Sequence, residues 1–172
     1  NNKKFFFDLD QVFKTKKITY FQLRLKKENP KKIYKIGKKI KKICKKYRVK
    51  LIINDNPALA KKIDADGCHL GQNDLSIIEA RKIIKNKIIG ITCHNSRKLV
   101  IKAIADGANY IALGAFYSTK TKKVKYKASI KILNLVKKIT NTPIVAIGGI
   151  KLNNYKKLLL NKANFLAISS YI

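Results

Sequence analysis

Carboxylates are scarce in this chain: nine Asp and Glu stand against forty Lys and Arg, and residues 107–172 contain no acid at all. The formal net charge of +31 would ordinarily indicate nucleic acid or an anionic membrane surface as the partner. Arginine, however, is scarcer still than acid, since 36 of the 40 basic residues are lysines. There is no arginine-rich arm, no aromatic stacking platform and no nucleic-acid motif. The lysines run through helical patterns such as 31–46 and 131–138, where Ile and Leu recur at core spacing and lysine fills the wet face. A solvated lysine coat is therefore expected, and the heavy joint use of Lys, Ile and Asn looks like a compositional bias of a whole genome. The acid-free stretch should attract anions of any kind, a small phosphorylated substrate as much as RNA.

Cysteine is also sparse. Cys44, Cys68 and Cys93 are odd in number, widely spaced and form no C-x-x-C pair, which argues against a disulfide framework and against a zinc site. They read as reduced, small hydrophobes. No run approaches the roughly 18 apolar residues of a membrane span, and the N-terminus (Asn1-Asn2-Lys3-Lys4) lacks the apolar stretch of a signal peptide. A cytoplasmic location is the expectation. A length of 172 residues fits one domain, residues 1–172, and 46% hydrophobic residues suffice for a core.

What is abundant is alternation. β-rich apolar runs at 18–24, 49–54, 67–70, 88–93, 109–113, 144–147 and 165–169 are separated by helix patterns near 31–47, 57–64, 76–85, 96–106, 127–140 and 153–162. Pro30, Pro57, Ser76, Ser96 and Asn153 suit helix starts. Nearly continuous apolar strands alternating with helices predict a parallel sheet covered on both faces. The polar turns at 65–70, 105–110 and 163–166 echo one another, as successive βα units of one barrel would. Seven strands are found, preceded by a helix-like segment at 9–14 and with no helix pattern after the seventh. The expected fold is a (β/α)8 TIM barrel that lacks its first strand and last helix, with a doubly wound open sheet as the alternative. Phe5 to Phe7 read either as a remnant of the first strand or as anchors of the first helix.

Polar clusters stand at the strand ends. In Gln22-Leu23-Arg24-Leu25-Lys26, alternate residues point to one side of an extended segment, so that one face carries an amide and two cations. Arg24 can grip a phosphate bidentately and Lys26 can add a point charge. The second strand runs into Asn54-Asp55 and the third into His69-Leu70-Gly71-Gln72-Asn73-Asp74. Magnesium is commonly held by one or two carboxylates plus phosphate oxygens and water, so Asp55 and Asp74 suit a metal diphosphate; the alternative makes each a helix cap. The fourth strand ends in Gly90-Ile91-Thr92-Cys93-His94, offering a hydroxyl and an imidazole, although His94 also reads as a packed residue before a cap at Ser96. After the fifth strand, Thr119, Thr121 and Lys122 bring two hydroxyls and an ammonium to one anion. Gly148-Gly149 after the sixth strand and Ser169-Ser170 after the seventh suit a second phosphate.

Taken in order, Q-L-R-x-K at 22–26, I-N-D at 53–55, D-G-x-H-L-G-Q-x-D at 66–74, G-x-T-x-H at 90–94, T-x-T-K at 119–122, A-I-G-G-I at 146–150 and the closing serine resemble the thiamine phosphate synthases, over about residues 9–172. The resemblance implies a transferase of thiamine biosynthesis that joins 4-amino-2-methyl-5-hydroxymethylpyrimidine diphosphate to 4-methyl-5-(2-hydroxyethyl)thiazole phosphate, or to its carboxylated tautomer, with release of diphosphate. It implies Mg2+ held by Asp55 and Asp74, and Arg24, Lys26 and Lys122 as the catalytic cations. Gln22, Arg24, Lys26, Asn54, His69, Thr92 and Lys122 would bind the pyrimidine diphosphate. Gly148, Gly149, Ser169 and Ser170 would take the thiazole phosphate, together with Thr119 and Thr121, for which the diphosphate is the alternative ligand. Ala115, Phe116 and Ser118 depart from residues frequent in that family, and Thr92 stands for serine. The expected partners are small phosphorylated molecules, with neither a specific nucleic acid nor a membrane, and a homo-oligomer is left open. The competing readings are a thiazole tautomerase of the same superfamily and a basic nucleic-acid-binding protein.

Overall fold

A computed structural model of the chain describes residues 2–119 and 126–169. Its elements follow in the order α1 (Asn2–Lys14), β1 (Tyr20–Leu23), α2 (Pro30–Tyr47), β2 (Lys50–Asn54), α3 (Pro57–Ile63), β3 (Gly67–Leu70) and α4 (Ile77–Ile84). β4 (Ile88–His94), α5 (Arg97–Ala105), β5 (Tyr110–Gly114), α6 (Ile130–Lys137), β6 (Ile144–Ile147), α7 (Lys156–Leu160) and β7 (Phe165–Ala167) complete the series. The chain divides into two compact units. The first comprises Asn1–Leu70 with Glu79–Ile89, and the second Gly71–Ile78 with Gly90–Tyr171.

In the first unit β1, β2 and β3 pair in parallel, in chain order. Leu51, Ile52 and Ile53 of β2 and all four residues of β3 are buried, as strands covered on both faces require. α2 shows how a lysine-laden sequence makes a stable helix. Asn29 caps it by accepting from the Lys32 N–H, and Pro30 opens its first turn. Arg48 ends it in the left-handed region (φ 58°). Gly37, Ile40 and Cys44 are the buried residues, three and four positions apart, and of the lysines between them Lys38, Lys39 and Lys42 are exposed. Phe5 to Phe7 lie inside α1, so they belong to a helix and not to a strand remnant. α1 is fixed by the buried Leu9 and Phe13, by an edge contact of Phe13 with Phe21, and by Asp10, which accepts from Lys46 Nζ (3.0 Å) and the Tyr47 O–H (2.9 Å).

Asp66 ties the lower ends of this unit together. Its Oδ2 accepts from Lys41 Nζ at 2.8 Å and from the Leu51 N–H at 2.9 Å, while Oδ1 lies 3.5 Å from Lys50 Nζ. One carboxylate thus joins α2, the start of β2 and the turn into β3.

In the second unit β4, β5, β6 and β7 are likewise parallel and sequential. Neither unit reverses its strand order, whereas a doubly wound sheet turns back on itself at a switch point. The barrel-type alternation is the one observed. Ser96 caps α5 by accepting from the Leu99 N–H. α7 is shorter than its sequence pattern: it starts after Tyr155, and the expected opener Asn153 sits in the preceding turn. Among the described residues, no helix is long and apolar enough to cross a membrane, and no buried side-chain polar atom lacks a hydrogen-bond partner.

Candidate active site

In the first unit the parallel register places Gln22 beside Ile52 and sets Asn54 of β2 beside His69 of β3. Arg24 is the first residue past β1. The extended alternation expected to continue to Lys26 stops there, because a turn closed by the Glu28 N–H donating to the Leu25 carbonyl (3.3 Å) redirects the chain. Lys26 instead reaches across to Asp55, its Nζ 3.0 Å from Oδ2. Asp55 is in the left-handed region (φ 62°), and its N–H donates to the His69 carbonyl at 2.8 Å. It does not cap α3. Asn56 does, its Oδ1 accepting from the Leu59 N–H at 2.8 Å. The helix thus makes no claim on the Asp55 carboxylate, which faces a cation.

In the second unit Asp74 folds back on its own turn, Oδ2 accepting from the Gly71 N–H at 2.6 Å. Gln72 Nε2 donates to the Thr92 carbonyl at 2.6 Å and fixes that turn against β4. The β4–β5 register shifts between Thr92 and His94. His94, at φ 54°, stacks on Tyr126 with ring centroids 4.4 Å apart, which makes it a packed residue.

The loop after β5 is pinned at both ends. The Ala115 N–H donates to the Tyr126 carbonyl (3.1 Å), and the Ala115 carbonyl accepts from the Ala128 N–H (2.9 Å). Its first part runs beside the end of β6: the Phe116 N–H donates to the Ile147 carbonyl and the Tyr117 N–H to the Gly148 carbonyl, both at 3.1 Å. Gly148 and Gly149 have φ of 95° and 64°, and a Cβ on Gly149 would stand 2.3 Å from the Ser118 carbonyl oxygen. Only glycine permits so close a passage. The segment leading to Thr119 and the glycine pair are thereby brought together. Ser169 is exposed just past β7. Thr121, Lys122 and Ser170 lie outside the described residues.

Metal chemistry is constrained by the donors. Among the described residues no group of three or more His, Cys, Asp or Glu gathers into a metal cage, so a zinc-type site is not formed there. Asp55 and Asp74 offer hard carboxylate oxygens, which fit magnesium, an ion that keeps water and takes up phosphate oxygens. The cysteines are spectators: burial pushes the thiols of Cys44, Cys68 and Cys93 up to about 12, so they stay protonated and unreactive.

Two residues that the sequence did not single out emerge here, Tyr117 and Asn154, which strap the loop after β6. Asn154 directly follows Asn153, the residue expected to open the last helix, and had no sequence signal of its own.

A family model described as thiamine monophosphate synthase matches residues 1–172. The chain belongs to the thiamine monophosphate synthase family. It is 68% identical over 168 residues to the thiamine-phosphate synthase of Pelagibacter ubique (strain HTCC1062), covering 98% of this chain and 81% of that one. With the thiamine-phosphate synthase of Nitrosomonas eutropha it shares 42% identity over 153 residues, 88% of this chain and 72% of the other. The solved thiamine phosphate pyrophosphorylase from Pyrococcus furiosus superposes with a TM-score of 0.80 at 29% identity, over 87% of this chain and 72% of that one. A 3-hexulose-6-phosphate synthase, at 13% identity and a TM-score of 0.63, shares the fold alone. The family's fold class is the α/β TIM-barrel type, of which this chain shows seven strands among its described residues. The T-x-T-K string at 119–122 and both Asp55 and Asp74 are present in this chain.

Proposed function

We propose that this chain couples 4-amino-2-methyl-5-hydroxymethylpyrimidine diphosphate to 4-methyl-5-(2-hydroxyethyl)thiazole phosphate, forming thiamine phosphate and diphosphate. The observation that carries the reading is the family match across the whole chain, with the polar strand ends in family order. The thiazole nitrogen supplies its electron pair to the pyrimidine methylene carbon. The C–O bond of that carbon breaks, and its electron pair leaves with the diphosphate. No proton need move at the reacting carbon, so the site needs cations and hydrogen-bond donors more than a strong base.

The chain's own groups suit that task. Arg24, Lys26 and Lys122 supply positive charge to the leaving diphosphate, and Asn54 and Thr92 supply hydrogen bonds. Gln22 and His69 line the pyrimidine side. Thr119, Thr121, Gly148, Gly149, Ser169 and Ser170 hold the thiazole phosphate. Asp55 and Asp74 would hold Mg2+, which when bound neutralises charge on the diphosphate. Lys26 is the counter-charge of Asp55, its Nζ 3.0 Å from Oδ2, which keeps the ammonium at the carboxylate assigned to the diphosphate end of the site. Charged phosphorylated substrates of this size suit a cytoplasmic enzyme.

Incubating the chain with both substrates and Mg2+, and following thiamine phosphate by chromatography, tests the proposal. Formation of thiamine phosphate together with diphosphate is expected. Isomerisation of a carboxylated thiazole phosphate without coupling would instead assign the tautomerase reaction.

A further inference from the structure

We infer that Asn154, secured by Tyr117, is a positioning residue for the thiazole phosphate: it sets the direction of the backbone N–H groups after β6 without itself touching the ligand. This inference rests on the proposed function, which gives the Gly148-Gly149 loop that phosphate.

The strap rests on four hydrogen bonds, all in the second unit. Asn154 Nδ2 donates to the Gly149 carbonyl at 3.0 Å, and Asn154 Oδ1 accepts from the Lys151 N–H at 2.8 Å. The Tyr117 O–H donates to the Asn154 carbonyl at 2.9 Å, and the Tyr117 N–H donates to the Gly148 carbonyl at 3.1 Å. The consequence follows from peptide geometry. In a planar trans peptide the N–H points opposite to the preceding C=O. Holding the Gly148 carbonyl therefore aims the Gly149 N–H, and holding the Gly149 carbonyl aims the Ile150 N–H, each away from the strap. Among the described residues neither N–H has an acceptor. Glycines in the left-handed region have many alternative orientations, so without the strap this pair would lose its direction. Two preset donors are what an anion site gains most from, because no reorganisation is then required when the anion arrives.

An ordinary turn role for Asn154 needs only Oδ1, which Asp also provides; the positioning role needs the Nδ2 donor, which Asp lacks. Calorimetric titration with the thiazole phosphate, and separately with inorganic diphosphate, compares the full chain with Asn154→Ala, Asn154→Asp and Tyr117→Phe. Asn154→Ala is expected to weaken thiazole phosphate binding about tenfold, the scale of one lost hydrogen bond. Tyr117→Phe, which leaves the charge unchanged, should weaken it about threefold. Asn154→Asp should fail to restore it, and diphosphate binding should stay within about twofold throughout. Unchanged thiazole phosphate affinity in both Asn154→Ala and Tyr117→Phe, full restoration by Asn154→Asp, or equal loss for both ligands would overturn the inference. Where Asn154→Ala unfolds, the Tyr117→Phe result decides alone. A wild-type chain that binds the thiazole phosphate but forms no thiamine phosphate would count against the proposed function and leave this comparison intact. One that binds no thiazole phosphate would overturn the inference as well.

Discussion

Lys26 Nζ stands 3.0 Å from Asp55 Oδ2, joining the turn after β1 to the end of β2. The pair is too exposed to hold the fold together, since ion pairs of this kind contribute about 0–1 kcal/mol. Asp55→Asn should therefore leave the thermal midpoint within a few degrees of wild type while lowering turnover by about 100-fold or more, the scale of losing a major electrostatic group. Parallel melting curves and initial rates check this. A large fall in the melting temperature accompanying lost activity would make Asp55 structural.

Asp66 should behave in the opposite way. Burial pushes its carboxyl up, but the hydrogen bonds from Lys41 and the Leu51 N–H, with the charges of Lys41 and Lys50, outweigh that and hold it below its ordinary value of 3.8. A lowered carboxyl pKa contributes stability above the ordinary value, and that contribution is lost as pH falls through the lowered one. Asp66→Asn should cost about 1–3 kcal/mol at pH 7 and flatten the acid side of the stability curve. Denaturant melts at several pH values would show it, and an unchanged acid limb would refute it.

The contrast between these aspartates marks how far the sequence could be read. All seven strands, the helix starts at Pro30 and Pro57 and the cap at Ser96 follow from period and turn chemistry, which are local, whereas the caps Asn29 and Asn56 emerge only in the structure. The barrel-type alternation follows from their order. Lys26 was expected on an extended face, and only the turn at Leu25 to Glu28 shows that it points to Asp55. Capping by Asp55 was a fair alternative until the neighbouring Asn56 was seen to take that role. Asn154 acts through a hydrogen bond to Gly149 and another from Tyr117, 37 positions away. No spacing rule reveals such a bond, because it depends on how two loops meet.

The cysteines give a third test. With the folded thiols raised to about 12, they should be silent toward a chromogenic disulfide at pH 8 and react fully once the chain is unfolded. Because a raised thiol pKa keeps the native state protonated, stability should decline as pH climbs from the ordinary value of 9.0 toward 12. Rapid labelling of the native chain would contradict this.

The lysine coat gives a fourth. Generic RNA should bind only non-specifically, with a dissociation constant of about 10⁻⁴–10⁻⁶ M at physiological salt that weakens steeply as salt rises. Filter binding over a salt series checks it. Nanomolar, sequence-selective binding would favour the nucleic-acid reading.

The most direct test is a Mg2+ titration of coupling by the wild-type chain, Asp55→Asn and Asp74→Asn, at saturating levels of both substrates. Saturable activation is expected in the wild type, with the activation midpoint moved at least about tenfold higher, or activation lost, in each variant. Wild-type coupling that ignores Mg2+, or variants that respond to it as the wild type does, would contradict the assignment of these two carboxylates.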